Sequence, residues 1–187
     1  MLLDRRRFLS AVGAWTSSTL VERVAGASLA RGLTLAELLR ASAHAVVVTP
    51  LDARSEWAVL GGQRRIVTDI RVRIEDTLAL SPPADAELLV RVLGGIIGTV
   101  GERVDGQATL RAGKPSTLFL TPVSPVLTYV TGAAQGHYPL LPDASGVLRL
   151  RPSPQLPSLV RKTGIAVTEL SGRTLAETRE LLGAAGR

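Results

Sequence analysis

Residues 65–75 read Arg65-Ile66-Val67-Thr68-Asp69-Ile70-Arg71-Val72-Arg73-Ile74-Glu75 and carry the clearest structural pattern in this chain of 187 residues. Apolar or β-branched residues occupy every even position from 66 to 74, while charged residues occupy the odd positions except for Val67. Because successive side chains of a strand point to opposite faces, this alternation predicts a strand with one buried and one solvated face. Such a strand is typical of an antiparallel sheet or barrel.

Shorter β patterns lie on both sides of this strand. Residues 56–60, followed by Gly61-Gly62, predict its hairpin partner. Six further strands are predicted between turn residues, at 45–49, 87–93, 116–120, 127–131, 135–140 and 147–150. The first of these six is expected to stop at Pro50, which has no backbone N–H to donate to a sheet.

Helix patterns occur only near the two ends of the β region. Residues 33–42 predict a short helix, because Thr34 and Glu37 are spaced to form a capping box at its start. The same Thr-Leu-Ala-Glu sequence at 174–177 predicts the start of a C-terminal helix that stops at Gly183.

Short strands flanked by a few helices predict a mainly β fold. We expect a small antiparallel β-barrel or β-roll over residues 33–150, with a leading helix, and an OB-like barrel of five or six strands is the nearest named architecture. Three prolines within residues 151–157 exclude a central strand and predict a linker or surface strap. Residues 158–162 are expected to form one helical turn, so that 151–187 comprises the Pro-rich strap and a C-terminal helical segment.

The first 27 residues have the features of an export signal. Arg5 and Arg6, followed after one residue by Phe8 and Leu9, resemble the twin-arginine export motif. A moderately apolar stretch follows, and residues 25–27 (Ala-Gly-Ala) offer the small side chains that a signal peptidase reads, so we expect cleavage directly after them. The mature protein is then expected in the periplasm or outside the cell.

The alternative interpretation of the N-terminus is an amphipathic helix that belongs to the fold, with its arginines as an ordinary solvated cluster. No other part of the chain approaches the run of about 18 apolar residues that a membrane-spanning helix requires. We therefore expect no transmembrane span in the mature form.

The net charge of the chain is +6 and its sequence pI is about 10.9, which at first suggests a polyanionic partner. The positive charge is concentrated at the ends, because residues 1–31 carry +3 and residues 147–187 carry +4. Between residues 32 and 146 there are ten basic and eleven acidic side chains. Single-strand binding by an OB-like barrel needs a basic groove with stacking aromatics, so this balance argues against a nucleic-acid partner.

The most polar and aromatic part of the β region is the sequence Gln135-Gly136-His137-Tyr138. Gln135, His137 and Tyr138 are therefore the candidate binding residues, with a structural or surface role for His137 as the alternative. The glycine-rich residues 94–101 lack the Gly-Lys-Ser/Thr ending of a phosphate loop and the helix pattern that would follow it, and they predict bends or bulges instead.

The sequence contains no recognisable catalytic or metal-binding constellation. Cys is absent, and the only other histidine, His44, lies 93 residues from His137, so we predict no metal site. Neither a Gly-x-Ser-x-Gly elbow nor a Ser-x-x-Lys motif occurs, and no pair of carboxylates has a spacing that marks it as an acid–base pair. We therefore predict no catalytic residues and no cofactor.

Several short motifs together resemble a group of uncharacterised exported bacterial proteins that carry a twin-arginine signal. The shared features lie within residues 34–140: the strands 45–49 and 66–75, Gly94-Gly95, Gly106, Gly113-Lys114 before Thr117-Leu118-Phe119-Leu120, and Gln135-Gly136-His137-Tyr138. The resemblance implies a small glycine-punctuated β-barrel-like domain. It implies no activity and no catalytic residue, because the shared motifs are short and based on glycine.

Three functional hypotheses follow from the sequence. The first is a non-enzymatic exported β-barrel module that binds an envelope or secreted protein or a small ligand. The second is an exported enzyme, or an accessory subunit of one, whose site is dispersed along the chain. The third and weakest is a single-stranded nucleic-acid-binding barrel, which the charge balance disfavours.

Overall fold

The structure is a computed structural model that describes residues 29–160 and 163–185. The residues of the export motif, Arg5, Arg6, Phe8 and Leu9, lie outside the described part. The α-helices and strands found in the described part are β1 (Leu29–Ala30), α1 (Leu35–Ala41), β2 (His44–Leu60), β3 (Gln63–Leu80), β4 (Glu87–Leu93), β5 (Gly95–Ile97), β6 (Val100–Glu102), β7 (Ser116–Pro122), β8 (Leu127–Val130), β9 (His137–Pro142), β10 (Leu148–Leu150), β11 (Ser158–Leu159), α2 (Ala166–Leu170) and α3 (Leu175–Ala185). A short 3-10 helix, Ala133–Gly136, precedes β9.

Five strands of the main sheet pair in a ring. In order around it they are β2, β3, β4, β8 and β7, and β7 pairs again with β2. The pair β4–β8 is parallel and the other four pairs of the ring are antiparallel. Strands β9 and β10 extend the sheet from β7. The mainly β prediction is thus confirmed, together with the short leading helix and the C-terminal helix. The C-terminal helix does not stop at Gly183 as expected, because α3 continues to Ala185.

The hairpin β2–β3 is much longer than the sequence predicts. Strand β2 continues through Pro50, where we expected it to end, because Pro50 lies beyond Val48, the last residue that β2 pairs with β7. The missing N–H of proline therefore interrupts no ladder on that side. Residues 53–66 extend beyond the pairing of β2 with β7, and from Trp57 onward they also extend beyond the pairing of β3 with β4. We call this segment the arm.

Register shifts in β2–β3, between Ala45 and Val46, between Val47 and Val48, and between Pro50 and Asp52, bend the hairpin. Each such bulge increases the local twist of a strand, which helps a sheet curve until its edges meet. Beyond the last shift, the odd-numbered residues 53, 55, 57 and 59 of β2 lie on the face that continues the ring interior, since Ala53 is opposite Ile70.

Two apolar cores lie on opposite faces of β2 and β7. Alternate residues of its strands fill the ring interior, together with Ala108 from the segment between β6 and β7. The strand residues are Val46, Val48, Ile70, Val72, Leu88, Val90, Val92, Leu118, Leu120 and Val130. On the outer face, Ala45, Val47 and Phe119 pack with Tyr138 and with apolar residues of the three helices. The alternation along β2 therefore supplies both cores at once.

The chain ends are attached to this body by specific contacts. The capping box predicted at Thr34 and Glu37 is present at α1, and Thr174 and Glu177 form the same pair of hydrogen bonds before α3. The helical turn predicted at residues 158–162 is wrong, because Ser158–Leu159 forms the strand β11, which pairs in parallel with β1. Within the described ranges, no helix is long and apolar enough to cross a membrane.

Candidate functional site

A cleft of about 550 Å³ opens at the end of the ring from which the arm projects. Its walls come from the base of the arm, from the hairpin β5–β6 and from residues 103–110. Ile70, Val92 and Ala108, which belong to the ring core, form its floor. The cleft is therefore an extension of the apolar ring interior toward solvent, and an apolar floor with polar groups at the rim is typical of a ligand site.

Two polar side chains of the cleft wall, Thr68 and Gln107, are hydrogen-bonded to other parts of the protein. Thr68 Oγ1 donates to the carbonyl oxygen of Gly94 at 2.7 Å and lies 2.9 Å from Ser55 Oγ. Gln107 Oε1 accepts from the backbone N–H of Leu93 at 3.2 Å. These two groups help to fix the shape of the cleft.

Glu102 has a similar structural role at the base of β6. Its carboxylate accepts a hydrogen bond from the backbone N–H of Ile66 at 2.7 Å and binds the Arg65 guanidinium. These contacts lower the pKa of Glu102, the backbone hydrogen bond contributing most. A carboxylate held ionised in this way anchors the hairpin β5–β6 to the arm and is unsuited to act as a general acid.

Two glycines allow this hairpin to lie directly on the arm. Gly95 has φ +147°, and a Cβ built on it would lie 2.3 Å from Thr68 Oγ1 and 2.5 Å from Ser55 Oγ. Gly94 has φ +92°, and its Cβ would lie 2.7 Å from the carbonyl oxygen of Glu102. The glycine-rich stretch was expected to form bends or bulges; it also forms the hairpin β5–β6, which was not predicted. At Gly94 and Gly95 the absence of a side chain is required by the close approach of neighbouring atoms.

Gln135 does not line the cleft, and its side chain is buried. Its Oε1 accepts from the backbone N–H of Leu33 at 2.8 Å, and its Nε2 donates to the carbonyl oxygen of Arg31 at 3.0 Å. One amide group therefore satisfies two backbone groups of the segment that leads into α1. The side chain attaches this segment to the sheet.

His137 is also buried, and both of its ring nitrogens face serine hydroxyls. Nδ1 lies 3.0 Å from Ser153 Oγ, and Nε2 lies 3.2 Å from Ser116 Oγ. Burial lowers the pKa of His137 to about 4, so the imidazole is neutral at neutral pH. The imidazole of His137 therefore links β7 and β9 to the Pro-rich segment that contains Ser153.

Tyr138 points to the opposite face of β9 and packs into the outer core. Its ring meets Phe119 edge-on, with centroids 6.1 Å apart and an angle of 73° between the planes. Burial raises the pKa of the phenol, and within the described residues its hydroxyl has no hydrogen-bond partner.

The three residues that the sequence offered as a binding group are thus adjacent in the chain but have separate surroundings, and none lines the cleft. Their role in binding stays a prediction. The cleft was not predicted as a site, because it is built from segments far apart in sequence. The only local indication was the glycine pattern at 94–101.

The outer face of β3 and β4 carries a layer of ion pairs. Arg91 binds Asp69 at 2.6 Å and Glu56 at 2.8 Å, and Arg71 binds Asp52 and, at 3.5 Å, Glu87. The hydrogen bond to Asp69 is the main cause that raises the pKa of Arg91. Arginines on this face are therefore partly neutralised by neighbouring carboxylates.

In residues 29–160 and 163–185, His, Asp and Glu side chains form no group of three or more that could hold a metal ion. Comparison with known proteins gives no family model, no curated protein and no solved structure that matches the chain.

Proposed function

We propose that the protein is an exported, non-enzymatic binding module that takes a small apolar ligand, or an apolar segment of an envelope protein, into the cleft at the end of the ring. The observation that carries the proposal is the chemistry of the cleft. Its floor is apolar, and three of its polar lining residues, Thr68, Gln107 and Glu102, are held by other parts of the protein. Such a surface favours binding over acid–base or nucleophilic chemistry.

We also propose that the ring is an OB-like barrel. We number the five ring strands by their order in the chain. Around the ring they are then arranged as first, second, third, fifth and fourth, so that the fourth strand (β7) lies beside the first (β2). A fourth strand that returns to the first is the Greek-key connection on which the OB-fold is built. The arm then corresponds to the connection between the first two strands, which often borders the ligand site in this architecture.

The charges of the outer face support a protein or small-molecule ligand over a nucleic acid. An OB-like groove that binds single strands needs free cations and aromatic platforms. Here Arg71 and Arg91 each contact two carboxylates. A phosphate backbone would have to displace these carboxylates, which lowers the gain from each contact.

Filling the cleft tests the proposed site. Thr109 is exposed and lines the cleft, so Thr109→Trp places a large side chain in it without removing a core residue. We expect the variant to lose at least about 90% of the ligand or partner that the wild type retains, because the indole occupies the space in which the ligand would bury its apolar surface. The measurement is quantitative mass spectrometry of what the tagged protein retains from the envelope fraction.

Thr99→Trp is the matched control, because Thr99 is exposed in the turn of the hairpin β5–β6 and does not line the cleft. It should retain the same molecules as the wild type. If Thr109→Trp retains them equally well, the cleft is not the binding site.

Export is proposed on the sequence motif at Arg5, Arg6, Phe8 and Leu9. Protein recovered from the periplasm or medium of the native cell should begin at Ser28, one residue before β1, because residues 25–27 carry the small side chains that a signal peptidase reads. Intact-mass spectrometry measures this directly. Recovery of the chain with Met1 and residues 2–27 still attached would overturn the proposal.

A further inference from the structure

The arm has one strand edge that the described part of the protein leaves unpaired. Strand β2 pairs with β7 only up to Val48, and the next backbone contact on that side is the hydrogen bond from the N–H of Gly113 to the carbonyl oxygen of Pro50 at 2.8 Å. From residue 53 to residue 60, β2 pairs with β3 alone. An extended edge of this length is able to pair with another strand.

The side chains along this edge have an uneven set of partners. Arg54 is exposed and has no hydrogen bond or ion pair among the described residues, although the neighbouring arginines of the outer face are paired. Glu56 is exposed and holds Arg91 through one oxygen. On the other face of the arm, Trp57 is 40% exposed and Val59 is 73% exposed.

We propose that a second copy of the chain pairs antiparallel with this edge, around a twofold axis that lies midway between Ser55 of one copy and Ser55 of the other. In an antiparallel pair, residues directly opposite each other lie on the same face of the sheet. The same faces of the two copies therefore adjoin only in a register in which one residue lies opposite its own copy, and we say that the axis passes through that residue. The axis at Ser55 places Arg54 of each copy opposite Glu56 of the other. Two ion pairs form across the axis, and they are equivalent by symmetry.

The neighbouring registers lack this complementarity. An axis through Arg54 would place Asp52 opposite Glu56, and an axis through Glu56 would place the two Glu56 side chains opposite each other. Both arrangements bring like charges together, which destabilises a cross-strand pair. Charge therefore selects the register centred on Ser55.

The apolar face of the arm fits the same register. Trp57 of one copy lies opposite Ala53 of the other, so the large ring meets a small side chain. The contact would cover part of the exposed surface of Trp57, whose ring already stacks with the Arg64 guanidinium 4.4 Å from its centroid. This proposal does not depend on the ligand proposed for the cleft.

Analytical ultracentrifugation of the purified full chain over a range of concentrations tests the dimer. We expect a concentration-dependent dimer, and we expect Arg54→Glu and Glu56→Arg each to raise its dissociation constant at least about tenfold, because each creates two like-charge contacts. Arg151→Glu makes the same change in charge on an exposed residue directly after β10, which is separated from β2 by β9 and β7, and it should leave the dimer intact.

The decisive sample is an equimolar mixture of the Arg54→Glu and Glu56→Arg variants. Each copy then supplies the charge that the other lacks, so dimers should return in the mixture, and the double variant Arg54→Glu/Glu56→Arg should dimerise alone. Thermal melts of each variant identify any that fail to fold, and the double variant tests the register independently of the two singles. A wild type that stays monomeric at all concentrations, a dimer insensitive to both single changes, or a mixture that stays monomeric would each overturn the proposal.

Discussion

Replacing Gly136 with alanine is expected to lower the free energy of unfolding by about 4 kcal/mol or more, a large fraction of the stability of a domain of this size. Gly136 ends the 3-10 helix that leads into β9, and it is buried. A Cβ at this position would lie 2.2 Å from the carbonyl oxygen of Thr131 and 3.3 Å from that of Phe119. Both atoms are backbone, so neither can move aside by changing a rotamer.

The backbone around Gly136 is also fixed by pairing. The N–H of Thr131 donates to the carbonyl oxygen of Phe119 at 2.8 Å, and Phe119 lies in the middle of β7, which pairs with β2. Relief of the clash would therefore have to displace the ring itself or detach β9 from it. Overpacking of a rigid site is destabilising for this reason.

Chemical denaturation followed by far-ultraviolet circular dichroism measures the effect. Gly183→Ala is the matched control, because Gly183 lies in α3 and a Cβ built on it meets no described atom within 4 Å outside its own helix backbone. Alanine is a better helix former than glycine, so this control should be neutral or stabilise by up to about 1 kcal/mol. Equal stability of Gly136→Ala and the wild type would contradict the packing described for this turn.

The parts of the fold that the sequence predicts well are those specified by neighbouring residues. The alternation in residues 65–75 lies within β3, and the spacing of Thr34 and Glu37 specifies the start of α1. Periodicity and capping act over one or two turns or a few strand positions, so they can be identified without knowledge of the rest of the chain.

Ring closure could not be predicted in the same way. The parallel pair β4–β8 joins Leu89 to Leu127, and β2 continues through Pro50 because its pairing with β7 ends at Val48. The helical turn expected at 158–162 is instead the strand β11 because β1, far away in sequence, pairs with it. Tertiary pairing overrides local preference in short segments.

The candidate site shows the same division. Gln135, His137 and Tyr138 are the candidate binding residues of the sequence, and all three are buried. Gln135 is covered by residues 31–33, and His137 by the segment of Ser153. The polarity of these residues shows that they need hydrogen-bond partners, but it does not show which partners they have. Those partners lie more than 15 residues away along the chain, so local sequence could not identify them.

Acidification from pH 6.5 to pH 4 is expected to lower the free energy of unfolding through His137 by up to about 3 kcal/mol. Burial lowers the pKa of His137 to about 4, whereas in the unfolded chain it returns to 6.5. Above pH 6.5 the imidazole is neutral in both states and contributes no pH dependence. Between pH 6.5 and 4 only the unfolded state binds the proton, so unfolding becomes more favourable by about 1.4 kcal/mol per pH unit.

Carboxylates with lowered pKa values add to the loss of stability in acid. Hydrogen bonds from Ser145 and from Arg149 lower the pKa of Asp143. Hydrogen bonds with Thr49 and Arg73 lower the pKa of Glu75. Their stabilisation is present above their unfolded pKa values and is lost as pH falls through the folded ones. The contribution of His137 must therefore be measured as a difference between two proteins that share these carboxylates.

His137→Gln provides that difference, because glutamine offers one donor and one acceptor to Ser116 and Ser153 but does not titrate. The variant should be less stable than the wild type at pH 7, and the two stabilities should converge as pH falls from 6.5 to 4. His44→Gln makes the same substitution at the other histidine, which is only half-buried, and is the matched control. Parallel stability curves for the wild type and His137→Gln would show that the imidazole is not buried in the neutral form. Convergence would instead show that His137 joins the Pro-rich segment to the ring as a neutral group, and that this attachment weakens in acid.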